Sequence, residues 1–457
     1  MTDTVYDMVV LGAGSGGYAA ALRGAQLGLR VALIEADKVG GTCLHRGCVP
    51  TKALLHAAET VDAVRGARAL GVDAELRGVD MAALNAYKDS IVTRMHKGLQ
   101  GLVASRGIDL IAGRGRLAGA GAVEVDGRAV RGRNIVLATG SYSKTLGQRI
   151  DERVLTSEGA LRLERVPASA VVLGGGVIGV EFASAWASLG ARVTIVEALP
   201  RLVPGEDEAV SKQLERAFRK RRIAVRTNTM FESVERHDGG VTVHTQDGRT
   251  HDAEVMLIAV GRGPVTADLG YEQAGVAMDR GFVTTDGLGR TSVPGVWAVG
   301  DIVPGVQLAH RGFAQGIVVA ERIAGLDPAP VDDALVPRVT FCEPEIASVG
   351  LTEARARQVH GADAVTTAEF NVAGNAKSQI LGTQGFVKLV SLKDGPIVGF
   401  HAIGARMGEQ VGEGQLIVNW EADADDVAAL VHAHPTQNET LGEAAMALAG
   451  KPLHNHG

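Results

Sequence analysis

Apolar residues gather along this chain in short unbroken runs that stop at glycines, and between the runs lie longer stretches with helical spacing. VVLGAG, near the start, gives way to a small-residue helical stretch ending near Gly28 and then to VALIE, a run closed by glutamate. Strand, helix and strand in that succession predict an α/β chain. NIVLATGS (134–141), VMLIAVGR (255–262) and TSVPGVWAVGD (291–301) also run into glycine turns, as expected where a chain crosses between domains. Residues 241–253 instead alternate apolar and polar positions around Gln246-Asp247-Gly248, a hairpin signature. From about Val336, strand patterns such as GFVKLV and PIVGFHAI mix with amphipathic helices, predicting a separate domain for assembly.

The segment VVLGAGSGGYAAALRGAQLGLRVALIE, residues 9–35, recurs without a gap as VVLGGGVIGVEFASAWASLGARVTIVE, residues 171–197. Each copy carries G-x-G-x-x-G: Gly12, Gly14 and Gly17 in the first, Gly174, Gly176 and Gly179 in the second. The first glycine permits a tight turn, the second lets backbone approach a pyrophosphate, and the third lets helix and strand pack closely. The acid ending each second strand, Glu35 or Glu197, is suited to accept hydrogen bonds from a ribose diol. A lone G-x-G-x-x-G is a weak signal, but a strand before, a helix after and the acid at this spacing, all twice over, predict two dinucleotides. Glu197 would repel a ribose 2′-phosphate, which favours NAD over NADP; Arg201, four residues on, is expected on a solvated turn.

A length of 457 residues predicts two to four domains, because single cores seldom exceed roughly 250 to 300 residues. With 46% hydrophobic and 21% charged residues the composition is that of a globular enzyme. The net charge of −6 gives no general case for nucleic acid or anionic membrane, and the RKRR run at 219–222 reads as the solvated end of a helix. No charged leader and no bilayer-length apolar stretch is read, so a cytoplasmic protein is expected. Three cysteines, Cys43, Cys48 and Cys342, are too few for a disulfide framework; Cys342 is expected in the core.

Cys43 and Cys48 stand in GGTCLHRGCVPTKALLHAAE, just before a helical pattern. Zinc sites usually use shorter spacing and more ligands, so His45 with two thiols would be an incomplete set; a buried inert pair is a further alternative. In a regular helix, residues five apart have Cα atoms roughly 8 to 9 Å apart, beyond the limit of about 7 Å for a disulfide. A bond between them therefore needs distorted backbone. Gly47 offers that freedom, and Pro50 suits the first turn of the next helix, placing Cys48 at its positive end, where a thiolate is stabilised.

GTCLHRGCVPTK resembles the redox motif of the flavoprotein disulfide reductases, and the resemblance covers essentially the whole chain, with four motifs in order. It implies two Rossmann-like dinucleotide-binding domains plus an α+β C-terminal dimerisation domain. The implied boundaries are 1–145 for FAD, 146–264 for NAD, 265–335 for a return segment completing the FAD domain and 336–457 for dimerisation. It puts FAD on the first fingerprint, with Glu35 on the adenosine ribose, Gly115 near the adenine, Thr139 at the NIVLATGS turn and Asp301 on the ribityl chain. The second fingerprint, with Gly261, becomes the NAD site. Lys52 is implied beside the flavin with Glu181, an acid without counterpart at Ala19, as its partner, and the helix amides near Ala309 face the flavin pyrimidine.

HAHPTQNE, residues 432–439, is similar to the family's His-Pro-Thr-x-x-Glu signature and makes His434, not His432, the expected base. Pro435 can start a helix, which would put Glu439 about one turn on, able to orient the imidazole. The resemblance further implies an obligate homodimer in which His434 enters the other subunit's active site. Within the family the chain looks most like the NAD-linked dihydrolipoamide dehydrogenases, acting on dihydrolipoamide of a lipoylated carrier, because the C-terminus ALAGKPLHNHG has no cysteine pair and Glu197 argues for NAD. A reductase of another low-molecular-weight disulfide such as mycothione, or a quinone or diaphorase-type flavoprotein, is the alternative. Ser141, Ser143 and Val265 depart from the family's usual residues.

Overall fold

The computed structural model describes residues 5–454, which divide into two compact units. The first takes the chain up to Leu54, then Ala82–Lys144 and Gly261–Asp333; the second takes Leu55–Met81, Thr145–Val260 and the chain from Ala334.

In the first unit β1 (Val5–Leu11), α1 (Ser15–Gln26) and β2 (Val31–Glu35) form a parallel strand-helix-strand. β2 pairs in parallel with Asp109–Ala112, and β1 with Arg128–Leu137, whose far edge carries Val296–Ala298. The apolar run of β1 is continuous because both of its faces are covered. Met8 and Val10 pack with Ala20 and Ala21 of α1, while Val9 and Leu11 pack with Leu117 and Val123 of an antiparallel ribbon on the other side. After β2 come α2 (Gly41–Arg46) and α3 (Cys48–Gly66).

The second unit repeats the arrangement with Ser169–Leu173, helix Val177–Leu189 and Arg192–Val196. Its parallel sheet runs Ala224–Arg226, Arg192–Val196, Ser169–Leu173, Val255–Ile258 and Val154–Leu155. The hairpin expected around Gln246 joins Gly240–Thr245 to Thr250–Ala253 in a three-stranded sheet. The C-terminal part is an antiparallel five-stranded sheet with the helices Met407–Asn419 and Glu439–Leu448 packed on it through Phe400, Leu389, Ile417, Leu441 and Ala445. The α/β fold class with an α+β C-terminal domain is thus the observed one. Among the described residues no helix is long and apolar enough to cross a membrane.

The RKRR run closes a helix with Arg219, Lys220 and Arg222 exposed, as expected, and Arg221 alone turns inward. The helix Glu208–Lys220 ends before Arg221, whose guanidinium does not face solvent but donates to Ser184 Oγ at 2.6 Å, Ser188 Oγ at 2.6 Å and the Glu343 carbonyl at 2.8 Å. The buried hydroxyls of Ser184 and Ser188, with the Glu343 carbonyl, draw the side chain inward.

Candidate active site and nucleotide turns

The two glycine turns are built alike. Gly12 and Gly174 have φ of +100° and +106°, and a Cβ on either would strike a carbonyl, that of Ala138 or Ala259. A Cβ on Gly17 or Gly179 would overlap the carbonyl oxygen of Gly12 or Gly174, so these glycines serve helix-strand contact. At Gly14 and Gly176 a Cβ would meet nothing within 4 Å, and each is the residue from which a helix starts. That is the vacant approach an anionic pyrophosphate needs. Glu35 Oε2 accepts from the Ala13 amide at 2.7 Å and Oε1 from Asp37 at 2.9 Å; Glu197 accepts from Gly175 at 2.5 Å and Leu199 at 2.7 Å. In both copies the backbone fixes the carboxylate beside its turn. Arg201 is not on a solvated turn: its Nη1 donates to the Glu206 carbonyl at 2.7 Å and Ser211 Oγ at 2.9 Å, and its Nη2 to the Pro204 carbonyl at 2.7 Å.

Cys43 lies in α2 and Cys48 opens α3, with Gly47 between them at φ −136° and ψ −108°, outside helical geometry. That break brings the two thiols into a hydrogen bond, which, with burial and the charge of Cys48, pushes the Cys43 thiol far above its ordinary range; Lys52, one turn into α3, acts the other way. Burial and the charges of Cys43 and Cys48 push Tyr18 of α1 up to about 12. His45 donates to or accepts from nothing but backbone in the described contacts, with Nε2 2.9 Å from the Val39 carbonyl, and meets His96 edge-on at 4.8 Å between ring centres. Tyr18 and His96 stand in no motif, so no local pattern places Tyr18 near the cysteines or His96 against His45.

Asp301 sits in the turn Gly300–Ile302 and accepts from Ser141 Oγ at 2.5 Å. Arg262 clasps the same serine, Nε to Oγ at 2.7 Å and Nη2 to its carbonyl at 2.6 Å. The departure at Ser141 therefore has a local function, joining Asp301 to Arg262. Thr139 donates to the Val265 carbonyl at 2.6 Å and lies 3.0 Å from the Tyr271 hydroxyl. Gly115, in the short strand Gly115–Leu117, faces Leu11 and Ile34 so closely that a Cβ would not fit. Ala309 begins the helix Ala309–Ile323, which meets α1 where Gly316 lies against Gly16. Gly261, at φ +103°, follows the strand Val255–Ile258 and has open space where a Cβ would stand.

In the second unit Glu181 is buried and accepts from the Phe341 amide at 2.9 Å. His434 Nδ1 lies 2.8 Å from Glu439 Oε1, and the Thr436 amide donates to Glu439 Oε2 at 2.8 Å. The helix starts at Glu439, not at Pro435, and the residues between form an irregular turn around that carboxylate. Burial would raise the Glu439 pKa, but the bonds from His434 and Thr436 outweigh it and hold the carboxyl below its usual range. The His434 ring itself is 72% exposed. His432 has its own carboxylate, Glu413, at 2.7 Å, and that bond raises its pKa against burial.

Residues 6–316 match the family described as pyridine nucleotide-disulphide oxidoreductase, and residues 336–445 match the dimerisation domain of that family. The chain belongs to the pyridine nucleotide-disulphide oxidoreductases. Dihydrolipoyl dehydrogenases of Bacillus subtilis (strain 168) and Thermus scotoductus are 39% and 38% identical to it over 98% of the chain and 97% and 98% of their own lengths. Among solved structures, LpdA from Mycobacterium tuberculosis aligns with a TM-score of 0.90 at 28% identity, covering 96% of this chain and 99% of that one. The HOCl-induced flavoprotein disulfide reductase RclA from Escherichia coli aligns at 0.86 and 28% identity, with 96% and 99% covered. As a pyridine nucleotide-disulphide oxidoreductase the chain uses FAD and NAD. Its residues fit two dinucleotides, because each open turn at Gly14 or Gly176 has a helix start and a carboxylate fixed beside it, the chemistry suited to a ribose diol.

Proposed function

We propose that this oxidoreductase is an NAD-linked dihydrolipoyl dehydrogenase, oxidising a dihydrolipoamide dithiol on a lipoylated protein to the disulfide, with reduction of NAD to NADH and release of one proton. The observation that carries the reading is Cys43 held against Cys48 across the break at Gly47. The choice of dithiol is supported by the dihydrolipoyl dehydrogenases that align with nearly the whole chain.

In this reading residues 1–145 and 265–335 hold FAD through Gly12, Gly14, Gly17, Glu35, Lys52, Gly115, Thr139, Asp301 and Ala309. Residues 146–264 hold NAD through Gly174, Gly176, Gly179, Glu181, Glu197 and Gly261, and residues 336–457 form the dimer. FAD, when bound, supplies a two-electron carrier between the cysteine pair and the nicotinamide. With the pair oxidised, His434 takes a proton from one substrate thiol, and the resulting thiolate attacks Cys43, breaking its bond to Cys48 and leaving Cys48 as a thiolate. The second substrate thiol then displaces Cys43, giving the substrate disulfide and a reduced cysteine pair. Glu439 orients the imidazole throughout. An imidazole this exposed suits reception by a second copy of the chain, and exposed Leu416, Trp420, Leu430 and Val431 in the same domain support such a partner.

The test is steady-state turnover of the FAD-loaded protein. Dihydrolipoamide with NAD is expected to exceed dihydrolipoamide with NADP by at least about tenfold in kcat/KM. Faster reduction of another low-molecular-weight disulfide by NADPH would overturn the reading.

A further inference from the structure

Between Glu197 and the helix Glu208–Lys220 the chain makes an excursion over residues 198–207 that folds back on the second glycine turn. The Val203 amide donates to the Gly175 carbonyl at 2.8 Å, and Leu202, fully buried, fills the space beside Gly175 where a side chain would otherwise stand. The excursion is held at three places. Arg201 ties it internally through the carbonyls of Pro204 and Glu206 and through Ser211, whose hydroxyl in turn donates to the Leu202 carbonyl at 2.7 Å. Glu206, buried, accepts from Ser348 Oγ at 2.5 Å and faces Arg338 at 3.4 Å. Asp207, also buried, caps the helix through the Ala209 amide and accepts from Lys388 Nζ at 2.9 Å and the Glu353 amide at 3.0 Å; Lys388 reaches Glu353 Oε2 at 2.7 Å.

Ser348 and Lys388 lie in Glu345–Gly350 and Phe386–Leu392, the two strands that flank Ile397–Gly404 in the C-terminal sheet. One end of the excursion thus carries the acid beside the nucleotide turn, and the other is ionically fastened to the dimerisation domain. A buried charge is costly without a partner, so Asp207 and Lys388 fix each other's position more firmly than an exposed pair would.

We propose that Arg201, Asp207 and Lys388 are positioning residues for the pyridine nucleotide. They seat residues 198–207 on the second glycine turn, so that Glu197 meets the adenosine ribose and Arg201, four residues on, is engaged with its own loop instead of a 2′-phosphate. This rests on the assignment of that turn to NAD.

The test measures KM for NADH in the FAD-loaded protein with ferricyanide as acceptor, a reaction independent of the dithiol substrate. Arg201→Met and Lys388→Met are expected to raise KM for NADH roughly five- to twentyfold while kcat stays within about twofold, and Lys388→Arg to restore most of the affinity. Glu197→Gln is the reference variant. If it raises KM while Arg201→Met and Lys388→Met only lower the melting temperature, the positioning proposal fails alone. If Glu197→Gln leaves KM unchanged, the nucleotide assignment fails and the proposal with it.

Discussion

Serine at position 48 would leave Cys43 without the sulfur it needs for a disulfide, while the glycine turns remain. Cys48→Ser is therefore expected to lower dihydrolipoamide oxidation by at least about 10³-fold and to spare NADH-ferricyanide turnover; loss of both would place the cysteines in a purely structural role. Glu439→Gln keeps the shape of the side chain but removes the charge that His434 faces at 2.8 Å, so kcat with dihydrolipoamide should fall by about 10²-fold with little change in KM for NAD. These residues were legible in the sequence because short motifs bring them together: Cys43 and Cys48 through Gly47, and His434 and Glu439 through the turn over residues 435–438. Arg201, Arg221, Tyr18 and His96 were not. Each owes its surroundings to partners distant along the chain or to carbonyls whose orientation no local pattern reports.

At the scale of the strand-helix elements, the glycines of one fingerprint are predicted to fail in different ways. Gly14→Ala and Gly176→Ala place a methyl where no protein atom lies within 4 Å, so the protein should fold, with FAD content lost in the first and KM for NAD raised in the second. Gly17→Ala and Gly179→Ala drive a methyl into a backbone carbonyl and should destabilise the protein by about 2 kcal/mol or more, whichever ligand is present. Melting temperatures and bound-flavin absorbance separate the two classes, and equal behaviour of all four variants would contradict the division of roles. The repeat made both elements readable, since strand, turn, helix and acid recur in register. The break between α2 and α3 was readable for a different reason: a disulfide cannot span five helical residues, and Gly47 was the residue able to leave the helix.

For the molecule as a whole, the Asp207-Lys388-Glu353 cluster predicts an acid limb in stability. Burial opposes ionisation of Asp207, but the bond from Lys388, the nearby charges of His401 and Lys388 and the Glu353 amide outweigh it, lowering its pKa from 3.8. The bond from Lys388 leads the lowering of Glu353 from 4.5, against burial. Carboxyls with depressed folded-state pKa values stabilise fully above their unfolded values and lose that contribution as pH falls through the folded ones. The melting temperature should therefore drop as pH falls below about 5, and Lys388→Met should lose about 3 kcal/mol at pH 7 and show a flatter acid limb. Glu369, raised by burial, works in the opposite direction and limits the size of the effect. An acid limb as steep in the variant as in the parent would assign it to other carboxyls. By itself the sequence determined the two nucleotide units, the reactive pair and the acids that close each repeat, because these depend on spacing within a few tens of residues. Only the tertiary structure decided where the buried ions lie and that the loop after Glu197 is fastened to a sheet some 140 to 180 residues further on. A buried charge is stable only beside its partner, and the chain's path, not its local pattern, supplies that partner.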